Sequence, residues 1–295
     1  IVNSHAGSVQ HPELRDRISA ICAESGAEAR IITSDAGQAV PLLARQALDS
    51  ADVVVAVGGD GTINAVASVL AGSGVPLGVL PFGTLNHFAK DARIPLDLDS
   101  AVRNAIAGTA AHIDVGEVNG RIFLNNSSLG LYPRMVEQRT EEQQRGASKW
   151  PAFARAMLSV LWRYPPLRAQ IVADQTTLSR KTPFIFIGNN HYDVEGRRVG
   201  SRHRLDAGEL SLITARPVSR SALVWSAVRT LFQGPQPGSA FDYLTAHEIV
   251  VRVRRRRRVL VALDGEVMQL EPLLHYRIRP GALRVMLPAA AESAA

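Results

Sequence analysis

A chain of 295 residues, 46% hydrophobic and 20% charged, is long enough for two compact domains and too apolar for a disordered or fibrous one. Its net charge of +6 is unevenly placed: residues 1–114 carry seven Lys and Arg against twelve Asp and Glu, and residues 115–295 carry 26 against 15. A basic second half favours an anionic partner surface, membrane or nucleic acid, although thirty of the 33 basic residues are Arg, a bias that genomic composition explains as well. No run of about 18 apolar residues marks a transmembrane helix. No signal-peptide pattern stands at Ile1, where the start reads as trimmed. The single cysteine, Cys22, cannot form an internal disulfide, and it reads as a buried small side chain in a reducing, cytoplasmic compartment.

In chain order, residues 1–3 read as the end of a strand, 12–27 as an amphipathic helix, 29–33 as a short strand and 37–50 as a helix. Residues 51–57 form a β-branched apolar run typical of a buried parallel strand. A helix over 62–71 and a strand over 76–80 follow. Strands alternating with helices predict a Rossmann-like, three-layer α/β domain, whose ligands bind beyond the carboxyl ends of the strands. The second half changes character. Short strand-like runs at 122–126, 167–173, 183–189, 209–214, 248–253, 258–263 and 274–279, most of them separated by turn signals, predict a C-terminal β-sandwich or barrel. Helices inserted at 133–163 and 219–232 interrupt it. The expected domains are 1–115 and 116–288, with a frayed tail over 289–295.

The segment Gly58-Gly59-Asp60-Gly61-Thr62-Ile63-Asn64 lies between a predicted strand and a predicted helix. Glycines there let the backbone approach a phosphate, and the helix start offers free N–H groups. An acid in such a loop would repel phosphate by itself. Asp60 therefore suits a magnesium ion between the two, or contact with an acceptor hydroxyl. The plainer reading is a tight turn with Asp60 capping the helix. The P-loop signature is absent, and Gly-x-Gly-x-x-Gly fails because Asn64 stands where its last glycine belongs.

These residues resemble the diacylglycerol kinase catalytic family, which includes bacterial lipid kinases, sphingosine kinases and ceramide kinases. Gly58 to Asn64 is similar to its Gly-Gly-Asp-Gly-Thr-x-Asn loop. Leu80-Pro81-Phe82-Gly83-Thr84-Leu85-Asn86-His87-Phe88-Ala89 is similar to its second loop. Ile113-Asp114-Val115-Gly116, then Phe123-Leu124-Asn125-Asn126-Ser127-Ser128-Leu129-Gly130, resembles its entry into the second domain. Asp264-Gly265-Glu266 resembles its C-terminal Asp-Gly-Glu, and Asn3-Ser4-His5-Ala6-Gly7 is a looser version of its first loop. The resemblance implies an ATP cleft between an α/β domain and a β-sandwich domain. It implies nucleotide contacts at Asn3, Ser4, His5, Ala6, Gly7, Thr33, Gly58, Gly59, Asp60, Gly61, Thr62, Ile63, Asn64 and Thr84. It also implies a catalytic role for Asp60, which would hold the catalytic Mg²⁺, and a proton acceptor at Glu266. A carboxylate can take the proton of a lipid hydroxyl as that hydroxyl attacks the γ-phosphate. Without the resemblance, Asp264-Gly265-Glu266 reads as a hairpin turn with solvated carboxylates.

Three departures stand out. His87 replaces an Asp of the second loop. Leu205-Asp206-Ala207-Gly208-Glu209-Leu210 has Ala207 where many bacterial members place a ligand for a structural magnesium ion, with Arg204 just upstream. Ser4 and Ala6 replace a Pro and a Ser of the first loop.

Trp150 and Trp162 bracket an amphipathic stretch suited to a bilayer interface, or to packing on the sandwich. Arg254, Arg255, Arg256, Arg257 and Arg258, with Arg252 before them, suit anionic lipid head groups, or form a solvated turn. No recognition fold or stacking motif accompanies them, so nucleic acid is not expected. No obligate protein partner is inferred. The expected protein is an ATP- and Mg²⁺-dependent kinase of diacylglycerol or a related lipid alcohol, cytoplasmic and peripheral on the inner membrane face. Two alternatives are a non-catalytic lipid- or nucleotide-binding regulator of the same fold, and NAD kinase, whose second loop is unlike residues 80–89.

Overall fold

The computed structural model describes residues 1–3, 12–34, 39–131, 133, 166–192, 202, 204–215 and 241–289. The chain forms two compact units, Ile1–Val115 with Arg279–Ala295, and Gly116–Ile278. The stretch after Arg279 was expected with the second domain. It groups with the first unit because Val285 pairs in parallel with Leu77 and the Asn104 side-chain amide donates to the Met286 carbonyl at 2.9 Å.

The first unit is built on a parallel sheet in the order β2 (Thr33–Ser34), β1 (Val2–Asn3), β3 (Val54–Gly58), β4 (Leu77–Pro81). Helices α1 (Pro12–Glu24) and α5 (Leu98–Ala107) share one core with Val2, Val57 and Leu80 of the sheet. Residues of the alternate parity, Val54, Ala56, Leu77 and Val79, are equally buried, so the sheet is covered on both faces, as parallel sheets are. Helices α2 (Val40–Ala47) and α3 (Asp60–Leu70) bury Val40, Ala44, Ile63, Val66 and Leu70. Helix α5 starts where the Asp97 carboxylate accepts from the Ser100 amide at 2.9 Å, a standard N-cap. The expected strand over 29–33 is observed as the two residues Thr33–Ser34, which pair with β1 among the described residues.

The second unit is a sandwich of antiparallel sheets. One holds β9 (Thr176–Thr182), β8 (Leu167–Ala173), β13 (Glu248–Val253) and the first part of β16 (Leu273–Leu287). The other runs in the order β12 (Phe241–Ala246), β11 (Leu210–Ala215), β10 (Phe184–Asn189), β7 (Asn126–Gly130), β14 (Val259–Leu263), β15 (Glu266–Leu270). Leu129, Ile185, Leu212 and Val261 of this sheet meet Ile171, Ile249, Val251 and Tyr276 of the other in one core. The expected strand over 122–126 is broken. β6 (Arg121–Phe123) pairs with the end of β5 (Thr109–Val118), the chain bends at Leu124 and Asn125, and β7 begins. The physical reason is a carboxylate: Asp264 takes the amides of Leu124, Asn125 and Asn126, so two of them have no part in a strand ladder. The expected inserted helices and the frayed tail lie outside the described residues, apart from Pro133 and the start of the tail.

Candidate active site

The glycine-rich segment sits at the carboxyl end of β3. Gly59 is extended (φ −85°, ψ −178°) and stands immediately before α3, with Asp60 its first residue. A Cβ on Gly58 would lie 2.7 Å from the Thr62 hydroxyl, and one on Gly83 would lie 2.7 Å from the Gly59 Cα. The two loops therefore touch backbone to backbone, and glycine at both positions is a steric requirement. Asn86, in the left-handed region at φ 50°, turns the second loop by accepting from the Gly83 amide at 2.8 Å. The Asp60 carboxylate accepts from the amides of His87 and Phe88, each at 3.3 Å, at the start of α4 (His87–Asp91). Asp60 thus caps a helix, but that of the second loop rather than its own. Asn3 donates to the Thr62 hydroxyl at 3.0 Å and so ties β1 to α3.

Among the expected nucleotide contacts, Thr84 and Thr33 are exposed and Asn64 is half-buried. Ile63 is fully buried and its amide is given to the Gly59 carbonyl, so it supports the loop from beneath. Ser4, His5, Ala6 and Gly7 lie outside the described residues.

The second acidic feature, in the sandwich unit, is a two-residue hairpin. Leu263 pairs with Glu266, and Asp264 and Gly265 between them have φ of 47° and 88°. Positive φ at both positions is the primed turn that matches strand twist, and Asp-Gly favours it. Solvated carboxylates hold for only one of the two acids. Glu266 is exposed and accepts no hydrogen bond among the described residues. Asp264 is half-buried, and its carboxylate accepts from Leu124 at 2.7 Å, Asn125 at 2.8 Å and Asn126 at 3.0 Å. Burial pushes its pKa up to about 6, against the pull of the three amides and of Arg202.

Sequence reasoning missed the partners of this turn. Arg202, 4% exposed, donates to the Leu124 carbonyl at 2.6 Å, the Asn189 carbonyl at 3.2 Å and the Asn125 side chain at 2.8 Å. Asn189 also donates to the Leu124 carbonyl, and the Tyr192 hydroxyl donates to the Asn125 carbonyl. Asn125 had been matched only as part of a motif, and no spacing signal marks Arg202.

The departure near 206 has a structural counterpart. Arg204 donates to both Asp206 carboxylate oxygens, at 3.0 and 3.3 Å. A guanidinium engages the acid that a structural magnesium ion would use, and Ala207 supplies no second carboxylate, so these residues do not fit that ion. Among the described residues no group of three or more His, Cys, Asp and Glu could hold a metal. A catalytic Mg²⁺ asks for less, because it is held by one or two carboxylates plus phosphate oxygens and water. Asp60 offers one carboxylate beside the glycine loops, its oxygens accepting from the His87 and Phe88 amides. The arginines 254–258 form an exposed turn, with Arg254 donating its amide to the Arg168 carbonyl. Trp150 and Trp162 lie outside the described residues. Among the described residues no helix is long and apolar enough to cross a membrane.

A parallel α/β unit carrying two apposed glycine loops, joined in sequence to an antiparallel sandwich carrying an Asp-Gly-Glu hairpin, defines a particular class of two-domain kinase fold. The diacylglycerol kinase catalytic domain matches residues 1–118, and the YegS C-terminal NAD kinase beta sandwich-like domain matches residues 131–287. The chain belongs to this lipid kinase family. It is 30% identical over 93% of its length to a "probable lipid kinase YegS-like" of Citrobacter koseri, covering 91% of that protein. It is 31% identical over 80% of its length to a "probable lipid kinase YegS" of Salmonella gallinarum, covering 78%. The crystal structure of a diacylglycerol kinase from Bacillus anthracis shares the fold at a TM-score of 0.72 and 16% identity, over 98% of this chain and 96% of that one.

Proposed function

We propose that the protein transfers the γ-phosphate of ATP to the hydroxyl of diacylglycerol or a related lipid alcohol, with Glu266 as general base. The observation that carries this reading is the division of labour in the acidic hairpin. Asp264 is committed to backbone amides, whereas Glu266 leaves the same turn exposed and unpartnered among the described residues. An exposed carboxylate on a rigid turn suits proton removal from an incoming hydroxyl. The oxygen attacks the γ-phosphorus, the proton passes to Glu266, and the bond to the β-phosphate bridging oxygen breaks to release ADP.

The glycine loops take the phosphates. The first N–H groups of α3 have no intrahelical acceptor, and Gly58, Gly59 and Gly83 leave no Cβ in the way. Asn3 and Thr62 hold the loop's shape, and exposed Thr33 and Thr84 offer hydroxyls to the nucleotide. Asp60 is the residue that would hold Mg²⁺, which when bound neutralises charge on the transferring phosphoryl group. The lipid acceptor has to be reached at a bilayer. The exposed arginine turn suits anionic head groups on the cytoplasmic face, each arginine adding about 1 kcal/mol near the surface.

The test is turnover of labelled ATP against a panel of diacylglycerol, phosphatidylglycerol and sphingoid bases, with Glu266→Gln as control. Phosphorylation of one lipid by the wild type and its loss in the variant are expected. Failure to bind ATP and to phosphorylate any lipid sinks the reading, and a fully active variant sinks the base assignment alone.

A further inference from the structure

The connection between β6 and β7 is gripped on both of its polar sides. The three amides of Leu124, Asn125 and Asn126 all point at the Asp264 carboxylate. The Leu124 carbonyl accepts from the Arg202 guanidinium at 2.6 Å and from Asn189 at 2.9 Å. The carbonyl of Leu124 and the N–H of Asn125 belong to one peptide group. That peptide therefore lies with its oxygen on a buried cation and its hydrogen on a half-buried carboxylate, the orientation its dipole favours. Arg202 adds a bond to the Asn125 side chain at 2.8 Å and lies with its guanidinium carbon 5.5 Å from the centre of the Tyr192 ring.

The grip extends to the hairpin. The Asp264 amide donates to the Asn126 carbonyl at 2.9 Å, so side chain and backbone of the same residue are both anchored to the bend. Asp264 is the first of only two residues between Leu263 and Glu266. With its φ and that of Gly265 set by the primed turn, little freedom remains in where the Glu266 backbone leaves the sheet.

We infer that Arg202 is a positioning residue for the reaction: it clamps the Leu124–Asn125 peptide against Asp264 and thereby holds the hairpin that presents Glu266. This deepens the lipid kinase reading and rests on it for its catalytic consequence. Arg202 stands apart from that chemistry and acts through one peptide group and one carboxylate. The guanidinium's flat fork spans the Leu124 carbonyl and the Asn125 side chain at once, which a lysine ammonium does not reproduce. Removing either charge takes a favourable opposite charge from the other and loosens the peptide that both hold, so the two residues are coupled.

The experiment compares wild type with Arg202→Met, Arg202→Lys, Asp264→Ala and the Arg202→Met/Asp264→Ala double variant. Amide exchange over residues 264–270 is expected to quicken about tenfold or more in Arg202→Met, while the amides of 54–70 keep their protection. In denaturant unfolding, the double variant is expected to lose about tenfold less in the unfolding equilibrium constant than the product of the two single effects. On the lipid substrate, kcat falls at least about tenfold with the KM for ATP nearly unchanged, and Arg202→Lys restores little of it. Additive unfolding effects overturn the clamp, as does an unchanged exchange rate in the hairpin. An unchanged kcat in folded Arg202→Met overturns the positioning role. If the wild type phosphorylates no lipid, the kinase reading falls and the catalytic role with it, while exchange and coupling still decide the clamp.

Discussion

The glycine loops of the α/β unit and the acidic hairpin of the sandwich create polar sites by opposite means. The loops work by omission: Gly59 and Gly83 bring two backbones together because neither has a Cβ. The hairpin works by investment: a half-buried carboxylate and a buried guanidinium are both committed to the bend beside the turn. The difference teaches what each tolerates. A loop built by omission fails when atoms are added, and a hairpin built by investment fails when charge is removed. Asp60 and Asp264 show the same contrast. Both are half-buried and cap backbone amides, yet Asp60 takes two at 3.3 Å, whereas Asp264 takes three at 2.7 to 3.0 Å.

The largest expected effect separates chemistry from scaffolding within the hairpin. Glu266→Gln is expected to lower kcat by about 10²- to 10⁴-fold, the usual worth of a general base, with the unfolding midpoint unmoved because Glu266 is exposed. Asp264→Ala is expected to do the reverse in kind, costing about 3 to 5 kcal/mol of stability, since three amides lose their acceptor and Arg202 loses a nearby opposite charge. Chemical denaturation at pH 7.5 measures it. Gly83→Ala is next. Its Cβ would press on the Gly59 backbone, where no flexible side chain can yield, so about 1 to 3 kcal/mol of overpacking is expected, with a raised KM for ATP.

A pH series sharpens the charge side of the comparison. The Asp264 carboxyl is raised in the folded state to about 6 from an ordinary 3.8, so the proton-linked share of its contribution is fully present below about pH 4 and is lost as pH rises through about 6, and the amide hydrogen bonds carry what remains above that. Wild type is therefore expected to exceed Asp264→Ala most at low pH, the gap narrowing by about 3 kcal/mol between pH 4 and 7. A constant gap across that range would remove the raised pKa from the account. The smallest effect lies on the surface. Reversing Arg255 and Arg256 to Glu is expected to leave stability within about 0.5 kcal/mol. It is also expected to weaken sedimentation with anionic vesicles, an effect erased at high salt.

Much of the fold was legible because it is written locally. The β-branched run ending at Gly58, the glycines after it and the alternation of strand and helix specify the parallel unit from neighbours in sequence. Short alternating runs with turn residues specified the sandwich, although β9, with six polar residues of seven, and the short β15 were passed over. The Asp-Gly pair marked the hairpin but not the fate of its acids. Alternation and turn propensity report which residues face inward. They do not report which polar groups a carboxylate will find there.

What the sequence determined by itself was the pair of architectures, the order of the motifs, the asymmetry of charge and the presence of Asp60 and Glu266 in their turns. Each follows from local spacing, propensity or composition. Only the tertiary structure decided that Asp264 caps amides about 140 residues away in the chain, that Arg202 closes the same bend from its carbonyl side, and that Gly59 needs Gly83. Buried charges take the partners that desolvation forces on them, and those partners are set by where folded strands bring their ends.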